Sequence, residues 1–155
     1  MRLMTFFAIA VTAVAALVGC TSTSGSRNEA SAGAAANTPV KVVYHVNQGN
    51  AQALDALRNI RNHLSADPTA KIVVVTHSGG INFLLDGAKD SNGAPFDATV
   101  QELKAKGVDF RVCRFTVERN KIDPAKVIPE ATIVPSGVAE VSRLQFREGY
   151  SYLKP

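Results

Sequence analysis

Short apolar runs rich in β-branched residues recur along the chain from residue 40, and each has the length of a β-strand. The run at 71–76 is almost wholly apolar, which is typical of a parallel strand buried on both faces of a sheet. The pattern predicts strands over 40–46, 71–76, 108–113 and 131–134, and an edge strand over 150–153.

Segments with a helical spacing of apolar residues lie between these strands. Asn50 is predicted to cap a helix over 51–65, whose apolar stripe comprises Leu54, Leu57, Ile60 and Leu64. Further helical segments are predicted after Gly79-Gly80, from Asp97 to Gly107, near 116–120, and from a Ser136 cap to Gly149.

Strands that alternate with helices need crossover connections, so the chain is predicted to fold as an α/β domain with a mostly parallel sheet covered on both faces. Sites in such sheets lie beyond the carboxyl ends of the strands. His45, His77 and Cys113 stand at or next to three of these ends. The sequence therefore predicts that polar chemistry gathers along one edge of the sheet.

The first twenty residues have the layout of an export signal, with Arg2 before a largely apolar run over 3–18. That run is shorter than the roughly 20 residues that a membrane-spanning helix needs. Residues 17–20, Leu-Val-Gly-Cys, resemble the bacterial lipobox, which implies cleavage before Cys20 and acylation of its sulfur. Thr21, which is not acidic, favours the outer membrane.

Three segments are therefore expected. Residues 1–19 are predicted to be a lipoprotein signal peptide, and residues 20–39, which are small and polar, to be the lipidated cysteine and a flexible tether. Residues 40–155 are predicted to be one α/β domain. The expected location is the periplasm, with the lipid anchor as the attachment to the membrane.

Composition permits a substantial core and argues against nucleic-acid binding. Hydrophobic residues make up 46% of the 155-residue chain, and the formal net charge of +4 falls to +3 without Arg2. The basic residues are dispersed among acidic ones, the chain has no Trp, and no concentrated positive stripe is visible.

Several chemistries are disfavoured by the motifs. Ser78 lies before Gly79-Gly80, but all three histidines precede it, whereas a hydrolase of this fold places its histidine after the serine. A metal site of His45, His77 and Cys113 lacks any closely spaced pair of ligands. No dinucleotide or nucleotide-phosphate loop and no C-x-x-C motif are present, so we expect neither a metal nor an organic cofactor.

Cys113 is the remaining candidate. A lone thiol is commonly an inert core residue, but this one ends a strand at the functional edge and precedes a predicted helix, whose N–H groups favour a thiolate. Arg114 follows directly and is expected to stabilise the anion. His45, His77 and Asn82 are the other expected supporting residues. A thiolate is the species that attacks or stores sulfane sulfur.

Five stretches in order resemble the DsrE/DsrF-like family, in particular its exported members. They are 43–46 with 56–63, then 72–77, 107–122 around Cys113, 134–140, and 144–155. One departure is that His77 precedes Ser78-Gly79-Gly80, where the family pattern is expected to read His-Gly-Pro-Gly.

The resemblance implies a three-layer α/β/α fold with a parallel five-stranded sheet and assembly into trimers or hexamers. It also implies that Cys113 accepts sulfur as a persulfide from a donor protein and passes it to an acceptor protein. The leading hypothesis is a sulfur-handling or thiol-redox protein, at most a sulfurtransferase or a sulfur carrier. The alternative is a non-enzymatic binding or assembly module of the envelope with a structural cysteine.

Overall fold

Five strands form one sheet in the computed structural model, which describes residues 38–155. They are β1 (Lys41–Val46), β2 (Lys71–Thr76), β3 (Asp109–Cys113), β4 (Ala131–Val134) and β5 (Ser151–Leu153). Their order is β4-β3-β2-β1-β5, and every neighbouring pair is parallel. The predicted α/β fold with a parallel five-stranded sheet is confirmed, and β5 is an edge strand.

Four helices and two 3-10 segments connect the strands. The helices are α1 (Asn50–Ala66), α2 (Asp97–Ala105), α3 (Arg114–Arg119) and α4 (Gly137–Glu148). The 3-10 segments cover Ser78–Leu84 and Pro124–Lys126, so the short helix expected after Gly79-Gly80 has the tighter 3-10 geometry.

Two apolar clusters hold the sheet between its layers. The larger one joins β1, β2 and β3 to α1, α2, α3 and the first 3-10 segment, and Phe83 and Phe110 are its largest fully buried side chains. The smaller cluster lies under α4, where Val141 and Leu144 pack on Val43, Val73 and Val75. One face of the sheet is therefore covered by several elements, and the other mainly by α4.

The strand register brings the predicted site residues to one edge. Val46 pairs with Thr76, and Thr76 pairs with Val112, so the central strands end at the same level. His77 and Cys113 therefore stand next to each other across two neighbouring strands.

The predicted helix cap is found at α4 and is absent at α1. Ser136 caps α4 by accepting a hydrogen bond from the Ala139 N–H at 3.3 Å. Gly149 ends the same helix in the left-handed conformation, with a φ of 72°. The prediction that Asn50 caps α1 is wrong, because α1 begins at Asn50 itself and its Nδ2 donates to the Lys89 carbonyl. The Gln52 side chain instead reaches back and accepts bonds from the N–H groups of residues 47 and 48.

The predicted signal peptide, Cys20 and residues 20–37 of the predicted tether lie outside the residues that the structure describes. Within residues 38–155, no helix combines the length and the apolar character needed to cross a membrane.

Gly80 lies against the end of β1 so closely that no larger residue fits. An ideal Cβ at this position would be 2.1 Å from the Val46 carbonyl oxygen and 2.6 Å from the Asn47 nitrogen. Both neighbours are backbone atoms at the end of a central strand and have little freedom to move. Gly80 thus sets how tightly the chain turns as it leaves β2.

We expect Gly80→Ala to lower the free energy of unfolding by about 3 kcal/mol, because the added methyl group must displace strand backbone. Gly79→Ala is the matched control, since its Cβ would meet nothing nearer than 3.5 Å. Urea unfolding followed by circular dichroism measures both. Equal losses in the two variants would contradict the close approach.

Candidate functional site

Cys113 is the last residue of β3 and immediately precedes α3. It forms no disulfide, and only 5% of the residue is exposed. It lines an open cavity of about 160 Å³, which we call the thiol pocket. The other residues of the thiol pocket are His77, Ser78, Phe115, Thr116, Arg119, Ser136 and Val138.

Hydrogen-bond donors surround the sulfur. Burial by itself raises the pKa of the Cys113 thiol, but the donors outweigh it and hold the pKa below its usual value. These donors are the Gly137 N–H, the Thr116 hydroxyl and N–H, and the Phe115 N–H. Such donors stabilise the charged form of the thiol, which is the nucleophile.

Gly137 allows α4 to approach the sulfur. An ideal Cβ there would be 3.0 Å from the Thr76 carbonyl oxygen and 3.2 Å from each Cβ of His77 and Cys113. Because glycine has no side chain, the first turn of α4 rests directly on the ends of β2 and β3. This contact brings the Gly137 N–H within reach of the sulfur.

A row of four hydrogen-bonded side chains runs from the edge strand to the thiol pocket. Nε2 of His45 lies 2.7 Å from Nε2 of His77. At the outer end, Nδ1 of His45 lies 2.8 Å from the Tyr152 hydroxyl. At the inner end, Nδ1 of His77 lies 3.0 Å from Oγ of Ser78. We call Tyr152, His45, His77 and Ser78 the histidine row.

Both histidines of the row are uncharged near neutral pH. Burial, aided by the neighbouring His77 and Lys154, lowers the pKa of His45 to about 4. Burial also lowers the pKa of His77, aided by the positive charges of Arg119 and Lys154. The lining of the thiol pocket therefore includes one neutral imidazole, that of His77, and one guanidinium, that of Arg119.

Ser78 has an unusual backbone conformation. Its φ of 49 lies in the left-handed region, which residues other than glycine rarely adopt. The conformation is held by the Ser78 N–H, which donates to Oγ1 of Thr116 at 3.1 Å. The same Thr116 hydroxyl also lowers the pKa of the Cys113 thiol, so one side chain faces both Ser78 and the sulfur.

The structure brings together three of the five expected rim and thiol residues, namely His45, His77 and Cys113. Arg114 and Asn82 are exposed and do not line the thiol pocket. The guanidinium at the pocket belongs to Arg119 instead, at the end of α3.

Tyr152, Thr116 and Gly137 were not identified from the sequence as site residues. Tyr152 lies 107 positions from its partner His45, and no local pattern pairs them. Within residues 38–155, no group of three or more His, Cys, Asp or Glu side chains is placed to hold a metal ion.

Comparisons with known proteins agree on the architecture. A sequence profile of the DsrE/DsrF-like family matches residues 31–155. The structure of MTH1491, a protein of unknown function from Methanobacterium thermoautotrophicum, is similar with a TM-score of 0.67 and 28% identity, covering 75% of this chain and 99% of that one. The ychN protein of E. coli has a TM-score of 0.63, 15% identity and the same coverages, and shares the fold. No curated protein matches the chain.

We expect the rate at which iodoacetamide alkylates Cys113 to reach half its maximum below about pH 8.5, the ordinary pKa of a thiol. Thr116→Val removes a donor to the thiolate, so its pKa rises and the profile moves to higher pH. At pH 7 the alkylation rate should fall several-fold. Thr116→Ser keeps the hydroxyl and is the control. An unchanged profile in Thr116→Val would show that this hydroxyl does not stabilise the anion.

Gly137→Ala should also raise the pKa of the Cys113 thiol, in this case by a change in α4. The new methyl group pushes the first turn of α4 away from β2 and β3, which lengthens the bond from the Gly137 N–H to the sulfur. We expect a higher pKa for Cys113 and a loss of about 1–2 kcal/mol in the free energy of unfolding. Ala139→Gly, two residues further along α4, is a control for helix propensity alone. A thiol titration identical to that of the wild type would contradict the role of the close contact.

Proposed function

The chain belongs to the DsrE/DsrF-like family, and from this premise we propose that it is a sulfur-handling protein that carries sulfane sulfur on Cys113. The observation that supports this most directly is the set of N–H and O–H donors that lower the pKa of a free thiol in an open pocket. In this proposal Cys113 is the nucleophile, and no cofactor is required.

Loading begins with the Cys113 thiolate. It attacks the outer sulfur of a donor persulfide, R–S–SH, forming a new S–S bond to Cys113 while the donor's S–S bond breaks and R–S⁻ leaves. In unloading, an acceptor thiolate attacks the outer sulfur on Cys113, and Cys113 leaves as the thiolate. The same donors favour both steps, because a stabilised thiolate is also a good leaving group.

The surroundings of the sulfur suit exchange with another thiol. Phe115 and Val138 are each 62% exposed where they line the thiol pocket, and they offer an apolar surface beside its opening. Arg119 provides a positive charge that attracts an incoming thiolate or persulfide anion. A donor or acceptor protein that places its own thiol over this opening fits these features.

The competing hypothesis is a binding or assembly module in which Cys113 is structural. An inert thiol in a core behaves as a small apolar residue and needs no hydrogen-bond donors. The four donors around this sulfur therefore favour the sulfur-carrier hypothesis. Export, attachment through Cys20, location at the outer membrane and assembly into trimers or hexamers stay predictions from the sequence.

We expect purified protein incubated with inorganic polysulfide to gain one sulfur atom by intact mass, and dithiothreitol to remove it. Cys20→Ser, which removes the other thiol, should still be loaded. In that background Cys113→Ser should gain none, since serine forms no persulfide. Equal gains in Cys20→Ser and the double variant, or no gain in either, would exclude Cys113 as the carrier.

A further inference from the structure

The histidine row connects the solvent at the edge of the sheet to the thiol pocket. Tyr152 is on β5, His45 is on β1, and His77 follows β2, so the row crosses the sheet toward Cys113 at the end of β3. We propose that this row is a proton relay that moves a proton between solvent at Tyr152 and the sulfane sulfur on Cys113. This inference rests on the proposed function.

The hydrogen-bond geometry gives the row two equivalent states. A neutral imidazole has one N–H and one bare nitrogen, so the contact between the two Nε2 atoms needs one donor and one acceptor. In one state Tyr152 donates to His45, His45 to His77, and His77 to Ser78. In the other state every bond is reversed, and Ser78 is the first donor. Moving one proton along each link converts one state into the other, provided that Tyr152 exchanges one proton with water and Ser78 exchanges one with the sulfur. No member of the row is then left with a charge.

Each end of the histidine row lies where it can exchange a proton. Tyr152 is 40% exposed and can exchange protons with water. Ser78 lines the thiol pocket beside Cys113, and its left-handed backbone conformation is held by a hydrogen bond to Thr116, which lines the same pocket. A residue other than glycine in such a conformation is typical of a functional constraint.

Sulfur transfer needs a proton at this place. After loading, the outer sulfur of Cys113–S–SH gives its proton to Oγ of Ser78, and Ser78 passes its own proton to Nδ1 of His77. His77 passes the proton on its Nε2 to His45, His45 passes the one on its Nδ1 to Tyr152, and Tyr152 releases its own to water. This leaves the persulfide as an anion. Before unloading the steps reverse, so that an acceptor thiolate meets a neutral outer sulfur instead of a negative one. The acceptor then forms R–S–SH, and Cys113 leaves as the thiolate.

The charges that face the two rings keep the relay neutral. Burial lowers the pKa of both rings, and Lys154 and Arg119 are the cations that act in the same direction, so both imidazoles stay neutral near pH 7 and keep one N–H each. A charged imidazolium would have donors at both nitrogens and would interrupt the row.

The solvent end of the relay lies away from the opening of the thiol pocket. Two strands separate β3 from β5, which corresponds to about 14 Å at the usual strand spacing. An acceptor protein seated on Phe115 and Val138 would cover the opening. The outer sulfur could then still gain or lose a proton through Tyr152.

The test uses full-length Cys20→Ser protein, loaded with polysulfide and freed of excess reagent. The rate of sulfur transfer to the free thiol of serum albumin, a protein acceptor large enough to cover the opening of the thiol pocket, is measured in mixtures of H₂O and D₂O. With Tyr152 present, the rate should vary along a curve with the deuterium fraction, because several protons move together. Tyr152→Phe should load fully, transfer on the order of ten-fold more slowly, and give a straight line.

Tyr150→Phe is the matched control, since it removes a hydroxyl near the same strand that is not in the histidine row, and it should behave as the parent. His45→Gln is a second variant that breaks the row without removing Tyr152, and it should reproduce the effect of Tyr152→Phe. Circular dichroism confirms folding of each variant.

Each other outcome rejects the relay. If Tyr152→Phe and His45→Gln load and transfer as the parent does, the relay is wrong and the sulfur-carrier proposal stands. If transfer slows but the dependence on deuterium stays curved, the hydroxyl only holds β5 in place. If the parent protein itself does not load, the proposed function and the relay both fail.

Discussion

The contact between the first turn of α4 and the ends of β2 and β3 is the constraint on which the site depends. It exists because Gly137 has no side chain, and a Cβ there would press on the Thr76 carbonyl and on the Cβ atoms of His77 and Cys113. The close approach turns the start of a helix into a hydrogen-bond donor for the thiol. It also closes one side of the thiol pocket with Ser136 and Val138.

The apolar contact between α4 and the sheet is small, and ion pairs help to hold the helix in this position. Val141 and Leu144 are the residues of α4 in the apolar cluster beneath it. Glu140, only 8% exposed, contacts Arg111 of β3 and also Arg143, which in turn binds Glu148. The hydrogen bond from Arg143 and the contact with Arg111 lower the pKa of Glu140. Such half-buried pairs fix the position of a helix more than they add to its stability.

The site stabilises an anion without a cationic histidine. Neutral imidazoles at His45 and His77 leave the Cys113 thiolate dependent on N–H and O–H dipoles that are fixed in place. Fixed dipoles do not titrate, so the sulfur keeps the same surroundings across the pH range in which the thiol reacts. In the proposed relay, these neutral histidines move protons and do not stabilise the charge.

Local patterns in the sequence were sufficient to predict the strands and the parallel sheet. They also placed His45, His77 and Cys113 at one edge of the sheet, because the ends of buried parallel strands coincide. The same patterns predicted the Ser136 cap, since a cap depends on residues a few positions apart. They did not distinguish Arg114 from Arg119, which depends on how a short helix turns away from the strand. The Tyr152–His45 bond depends on the strand order, and the Gly137 contact depends on the position of α4. Both are decided by contacts between distant parts of the chain, which no local sequence pattern records.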